Sequence, residues 1–93
     1  MDTVICPITF APIELPVIIH STPSYPFECR ALIHWLKNYR RVNPVTGERL
    51  YWSSSPLEVI TPLGTDEQVA YASQMLINEL EIGETDLSLR KLI

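Results

Sequence analysis

Cysteine is scarce in this sequence: Cys6 and Cys29 are the only two among 93 residues. Two thiols close at most one bridge, which excludes a disulfide framework, and neither belongs to a C-x-x-C pair of the kind that holds structural zinc. Glycine is nearly as rare, with three residues against eight prolines. Such loops have φ preset by proline and are stiff rather than floppy. Seven Lys and Arg face eleven Asp and Glu, a net charge of −4, so a phosphate backbone is repelled overall and nucleic acid is not an expected partner. The small basic cluster Lys37, Arg40 and Arg41 reads as a solvated helix end, where cations complement the dipole. No stretch approaches the ~20 apolar residues of a membrane span, and no signal peptide precedes Cys6. Both cysteines read as reduced core residues of a cytoplasmic protein.

What remains is the size and composition of one small domain, 46% hydrophobic. A chain this short hides roughly 60–65% of its unfolded surface and has a stability of a few kcal/mol. Thr3 to Phe10 is apolar but broken by Pro7, which predicts an extended loop. Pro16-Val-Ile-Ile19 is a β-branched run and predicts a strand. His20 to Tyr25 reads as a turn. A helix is expected from Pro26, which suits the first helical position, to Asn43-Pro44, with Cys29, Leu32, Leu36 and Tyr39 as its apolar stripe. Leu50-Tyr51-Trp52 is a candidate second strand against Val17–Ile19. Residues 57–63 read as a loop. Thr65 and Gln68 form a capping-box pattern opening a second helix, with Val69, Ala72, Leu76 and Leu80 on one face and Gly83 as its C-cap.

Cys6-Pro-Ile-Thr9, Pro16-Val-Ile18, Leu32 through Trp35-Leu36, Asn43-Pro-Val-Thr46 and Leu50, in that order and spacing, resemble the signature of the U-box family over about residues 4–63. The resemblance implies an α+β U-box/RING-like fold without zinc: two long loops around a central helix, a small antiparallel sheet and a C-terminal helix. It divides the chain into a U-box-like domain, 1–64, and a C-terminal helix and tail, 65–93, packing on or extending it. It also implies a ubiquitin ligase that binds a ubiquitin-charged conjugating enzyme and promotes transfer of ubiquitin to a lysine of a protein substrate. Carried over by position, Ile8, Phe10, Trp35 and Pro44 are the contacts to the conjugating enzyme. On a helical wheel Trp35 lies on the shoulder of the apolar stripe, where an aromatic is half exposed and suited to anchor a partner.

Several positions depart from the family pattern. Leu15 stands where an aspartate is usual, Phe27 where a tyrosine opens the helix, and Leu63 where an asparagine follows proline. These polar groups belong to the hydrogen bonding that replaces zinc. Gly47 stands where many active members carry a basic side chain that touches both partner and ubiquitin, and Arg49 is the residue placed to substitute. The alternative is therefore a weak or inactive U-box-like scaffold that holds a partner, or dimerises through the second helix. Divergence of this kind also suits a bacterial effector acting on the ubiquitin machinery of the host-cell cytoplasm. With so little chain left for substrate selection, a longer parent protein or the helix after Thr65 is expected to supply targeting.

No catalytic group is expected, because ligases of this type act by positioning a thioester for attack. Cys29 lies on the apolar stripe, where burial keeps a thiol protonated. His34 reads as a solvent-facing helix residue. Cys6, His20, Cys29 and His34 lack the paired spacing of zinc ligands, so neither metal nor cofactor is expected. Glu79, Glu81, Glu84 and Asp86 read as a solvated acidic patch.

Overall fold

Pro16-Val-Ile-Ile19 is the strand the sequence predicts, and in the computed structural model, which describes residues 4–81, it is β1, the middle strand of a small sheet. Strand β2 (Thr22–Glu28), helix α1 (Cys29–Asn38), a 3-10 turn at Pro56–Glu58, strand β3 (Ile60–Pro62) and helix α2 (Asp66–Leu76) follow, and a π turn over Ile77–Glu81 continues α2. The sheet is antiparallel in the order β2-β1-β3. The chain is thus a small α+β protein with a three-stranded sheet and two helices. Among the described residues no helix is long and apolar enough to cross a membrane.

The partners of β1 differ from those expected. Leu50-Tyr51-Trp52 forms no strand; Arg49 makes a single bridge with Val42, and Leu50 goes into the core. Instead Val17 pairs with Phe27 on one side and Pro62 on the other, while Ile19 pairs with Thr22 and Ile60. The expected turn over His20 to Tyr25 shrinks to His20 and Ser21, and the expected loop over 57–63 contains the 3-10 turn and β3. Prolines hid these strands. Pro23, Pro26 and Pro62 all lie on edge strands, and β2 is irregular between its pairings with Val17 and Ile19, so the missing N–H groups break little of the ladder. Pro26 therefore sits in β2 rather than opening α1, and Phe27 is a fully buried strand residue rather than the start of the helix.

Helix α1 ends earlier than Asn43. The N–H groups of Tyr39 and Arg40 both bond the carbonyl of Trp35, at 3.0 and 3.2 Å, which closes the last turn and leaves the chain free to change direction. Tyr39 consequently leaves the apolar stripe and is 67% exposed, and Ile33 joins Cys29, Leu32 and Leu36 on the buried face. Helix α2 opens as its sequence predicts. Thr65 Oγ1 accepts the Gln68 amide at 3.2 Å, and Gln68 Oε1 accepts the Thr65 amide at 2.8 Å. Gln68 also donates to the Glu14 carbonyl, which anchors this helix start to the first loop. Ala72, Leu76 and Leu80 share one core with Phe27, Ile19, Leu32 and Ile60, so the core is continuous across residue 64; Val69 is only half buried. Lys37 and Glu79 join the two helices at 2.7 Å, an exposed pair that contributes below about 1 kcal/mol. The predicted cap at Gly83 and the acids Glu84 and Asp86 lie outside the described residues, as does the side chain of Glu81.

Leu76, with no exposed surface, is a direct measure of this shared core. Leu76→Ala should destabilise the chain by about 2–5 kcal/mol in chemical denaturation, while Val69→Ala costs clearly less. Equal costs would mean that α2 does not pack as described.

Candidate functional site

Two long irregular segments leave the sheet: loop 1, residues 4–15, and loop 2, residues 39–55. Loop 1 puts Leu15 into the core and loop 2 Leu50, and each is further held by a polar side chain. In loop 1 the group is the buried thiol of Cys6. Its sulfur accepts the amides of Ile8 and Glu28, both at 3.4 Å. The Glu28 carboxylate reaches back from the end of β2 and accepts the amides of Glu14 and Leu15, at 2.7 and 3.1 Å. Its second oxygen is buried without a hydrogen bond, 3.9 Å from Arg30. Cys29 completes the fastening by donating its amide to the Leu15 carbonyl. Loop 1 is thus tied to the N-terminal end of α1.

Loop 2 is tied to the β1–β2 turn by Asn43, which has no exposed surface. Its Nδ2 donates to the hydroxyls of Thr22 and Ser21 at 3.0 and 3.2 Å, across the β1–β2 turn. Its Oδ1 accepts the Val45 amide at 2.9 Å, the Asx turn that an Asn-Pro pair favours. The Asn43 backbone closes the same turn, accepting the Gly47 amide and donating to the Glu48 carbonyl. The indole N–H of Trp35 donates to the Val42 carbonyl at 3.0 Å and fastens the start of this turn to α1. Past Trp52 the carboxylate of Glu58 gathers the amides of Ser53, Ser54 and Ser55 and the hydroxyls of Ser53 and Ser54. The Ser53 amide, the Ser54 hydroxyl and the amides of Ser54 and Ser55 hold Glu58 at a pKa of about 2, from an ordinary 4.5.

The four residues carried over by position occupy these two loops and the helix between them. Ile8 is half buried against the core. Phe10 is 81% exposed and has φ 59°, a left-handed conformation that a bulky residue adopts only at a cost. Two hydrogen bonds impose it: the Phe10 amide donates to the Cys6 carbonyl, and the Cys6 amide to the Ala11 carbonyl. Trp35 is half buried, on the shoulder of α1 as the wheel predicts, with its ring against Tyr39. Pro44 is half buried in the turn that Asn43 caps. Trp35 and Pro44 thus share the 42–44 segment, while Ile8 and Phe10 share the loop 1 turn. A ten-residue helix, about 15 Å long, carries the two attachments at its ends. Gly47 has φ 79° with open space where a side chain would project, and Arg49 lies beside Tyr51.

The other candidates do not form a reactive group. Burial first, and then the Glu28 carboxylate, pushes the Cys29 thiol up to about 12, so it stays protonated. Burial also opposes ionisation of Cys6, but the amides of Glu28, Thr9 and Ile8 outweigh it and lower its pKa. Both thiols are free. His34 is exposed and bonds Asn38 one turn on. Among the described residues no group of three His, Cys, Asp or Glu is placed to hold a metal ion.

The staples themselves were missed in the sequence. Ser55-Pro56-Leu57-Glu58 is a capping-box pattern as clear as Thr65–Gln68, and reading it would have found Glu58. Asn43 carries a weaker signal, as an Asn before Pro, and Glu28 carries none, because its partners lie 13 and 14 residues away.

Phe10→Gly relieves the left-handed strain and removes almost no buried area, so stability should hold or rise by up to about 1 kcal/mol. Phe27→Ala, in the core, should lose about 3–5 kcal/mol in the same denaturation experiment. For Glu58 the folded pKa is depressed, so its staple stabilises fully above pH ~4.5 and weakens as the pH falls towards 2. The gap in melting temperature between the natural chain and Glu58→Gln should be widest at neutral pH and close in acid; a gap that is constant with pH would contradict the staple.

No protein-family model matches the chain, and no curated protein or solved structure matches it either.

Proposed function

We propose that this chain is a U-box-type ubiquitin ligase domain, which binds a ubiquitin-charged conjugating enzyme and promotes transfer of ubiquitin to a substrate lysine. The ordered motifs from Cys6 to Leu50 suggest it, and the observation that carries it is the pair of polar side-chain staples. A zinc-free RING-like domain needs polar side chains to hold both loops, and such groups are supplied by Cys6 with Glu28 beside the start of α1 and by Asn43 with Ser21 and Thr22 on the β1–β2 turn. The departure at Leu15 is met in the same way. Leu15 is buried as a core residue, and the carboxylate that bonds its backbone comes from Glu28 on β2.

The strained, exposed Phe10 supports a docking role, because neither packing nor backbone preference accounts for an aromatic at that place. Ile8 and Phe10 would meet the conjugating enzyme from loop 1, and Trp35 and Pro44 from α1 and loop 2. No proton transfer or nucleophile is required of this chain. Its contribution is to restrict the motion of the thioester-linked ubiquitin, and orientation of that kind is worth several kcal/mol of barrier.

One observation favours the scaffold reading, in which a partner is held without transfer. Gly47 has a left-handed backbone and no side-chain donor, so contact with ubiquitin would fall to Arg49. A ligase with a low rate reconciles the two readings. Gly47→Arg would restore a donor, but on a backbone that disfavours any side chain.

The test is reconstitution with ubiquitin, activating enzyme and a panel of conjugating enzymes. Polyubiquitin chains should form with at least one of them. Ile8→Ala, Phe10→Gly and Trp35→Ala should each reduce the rate about tenfold or more, at 1.4 kcal/mol of lost docking energy per decade, while circular dichroism reports an intact fold. If these three folded variants all keep full activity, the docking face is assigned wrongly.

A further inference from the structure

Tyr39 is the aromatic that the end of α1 turns out of the core. Its spacing from Cys29, Leu32 and Leu36 would bury it had the helix run on. The chain instead leaves the helix at this residue, with φ −115° and ψ −78°, and the side chain is 67% exposed. The doubled bond on the Trp35 carbonyl, from the amides of Tyr39 and Arg40, holds the backbone in that course. A single exposed aromatic is ordinary on a protein surface. Tyr39 does not stand singly.

Two neighbours fix its ring. The Trp35 ring lies 5.5 Å away, centre to centre, at an interplanar angle of 43°, and the His34 ring lies 5.8 Å away at 75°, edge to face. Each neighbour is fastened in turn. The Trp35 indole N–H donates to the Val42 carbonyl, two residues before Pro44, and the Asn38 amide lies 3.1 Å from His34 Nδ1. A ring held on two sides, yet mostly open to water, has little freedom left to lose when a partner covers it. The area it buries then counts almost fully towards affinity, which is the property of a rigid aromatic anchor.

We propose that Tyr39 is a further contact to the conjugating enzyme, a second aromatic anchor stacked on Trp35. The inference rests on the ligase reading and extends its docking face past the end of α1. A partner loop that covers the accessible part of Trp35 comes within reach of a ring whose centre is 5.5 Å away. The two tilted rings together offer a continuous carbon surface, so the partner group they fit is an apolar side chain. An acidic side chain placed there would give up its hydration against the electron-rich faces of the rings. The ring of Tyr39, rather than its hydroxyl, carries the contact.

The test uses the full chain with its tyrosine rings isotope-labelled, titrated with a panel of conjugating enzymes that carry no ubiquitin. An enzyme that shifts the Trp35 indole signal should also shift the Tyr39 ring, and leave the ring of Tyr71, exposed on α2, unmoved. Tyr39→Ala should weaken binding of that enzyme roughly tenfold, and Tyr39→Phe by less than about twofold, with circular dichroism reporting both variants folded. If Tyr39→Ala melts early, the ring shift in the natural chain decides. An enzyme that shifts Trp35 while the Tyr39 ring stays still, or that binds folded Tyr39→Ala as tightly as the natural chain, overturns this contact and leaves the rest of the docking face standing. If no enzyme in the panel shifts Trp35, the ligase reading fails and this contact fails with it.

Discussion

Asn43 is the constraint on which the shape of this molecule depends. Besides burying Leu50, the chain fixes loop 2 with one buried amide whose two ends do different work. The Nδ2 side crosses to Thr22 and Ser21 and locks the loop against the sheet, and the Oδ1 side caps the turn that carries Pro44. A buried amide in such a network is costly to leave half satisfied, which makes the geometry specific. Cys6 does the equivalent for loop 1 with a weaker acceptor, helped by Glu28. Because loop 1 is also bonded to Cys29 at the start of α1 and loop 2 to Trp35 in its last turn, the helix sets the separation between the exposed residues of the two loops.

The core serves that arrangement. Phe27 and Ile19 from the sheet, Leu32 from α1 and Leu76 and Leu80 from the C-terminal helix make one hydrophobic unit, on which α1 is seated. Seating α1 turns Trp35 to the edge of the packed face, where its indole N–H bonds Val42 and part of its ring remains accessible. Phe10, by contrast, is held away from the core by hydrogen bonds that force its backbone into a strained conformation. Exposed aromatic surface at a strained position has no use in stability, and it gives the proposed docking face its strongest support.

Where chemistry is local, the sequence was legible. The strand Pro16–Ile19, the Thr65–Gln68 capping box and the buried face of α2 at Ala72, Leu76 and Leu80 all depend on residues within a few positions of each other. The shoulder position of Trp35 was also readable, since it follows from helical angle alone. Pairing was not. Prolines 23, 26 and 62 signal turns and helix starts in isolation, and only membership of an edge strand makes them acceptable in a sheet. The reach from Glu28 to Glu14 and Leu15, and from Asn43 to Thr22, spans loops whose course no local pattern encodes.

In the proposed function, residues on both loops form one docking face for a ubiquitin-conjugating enzyme. Titrating the isotope-labelled chain with a panel of such enzymes tests it most directly. At least one of them should give saturable N–H shifts confined to the Ile8 and Phe10 amides, the Trp35 indole and the Val45 amide beside Pro44. Shifts at loop 1 without loop 2, or none from any enzyme in the panel, would contradict it.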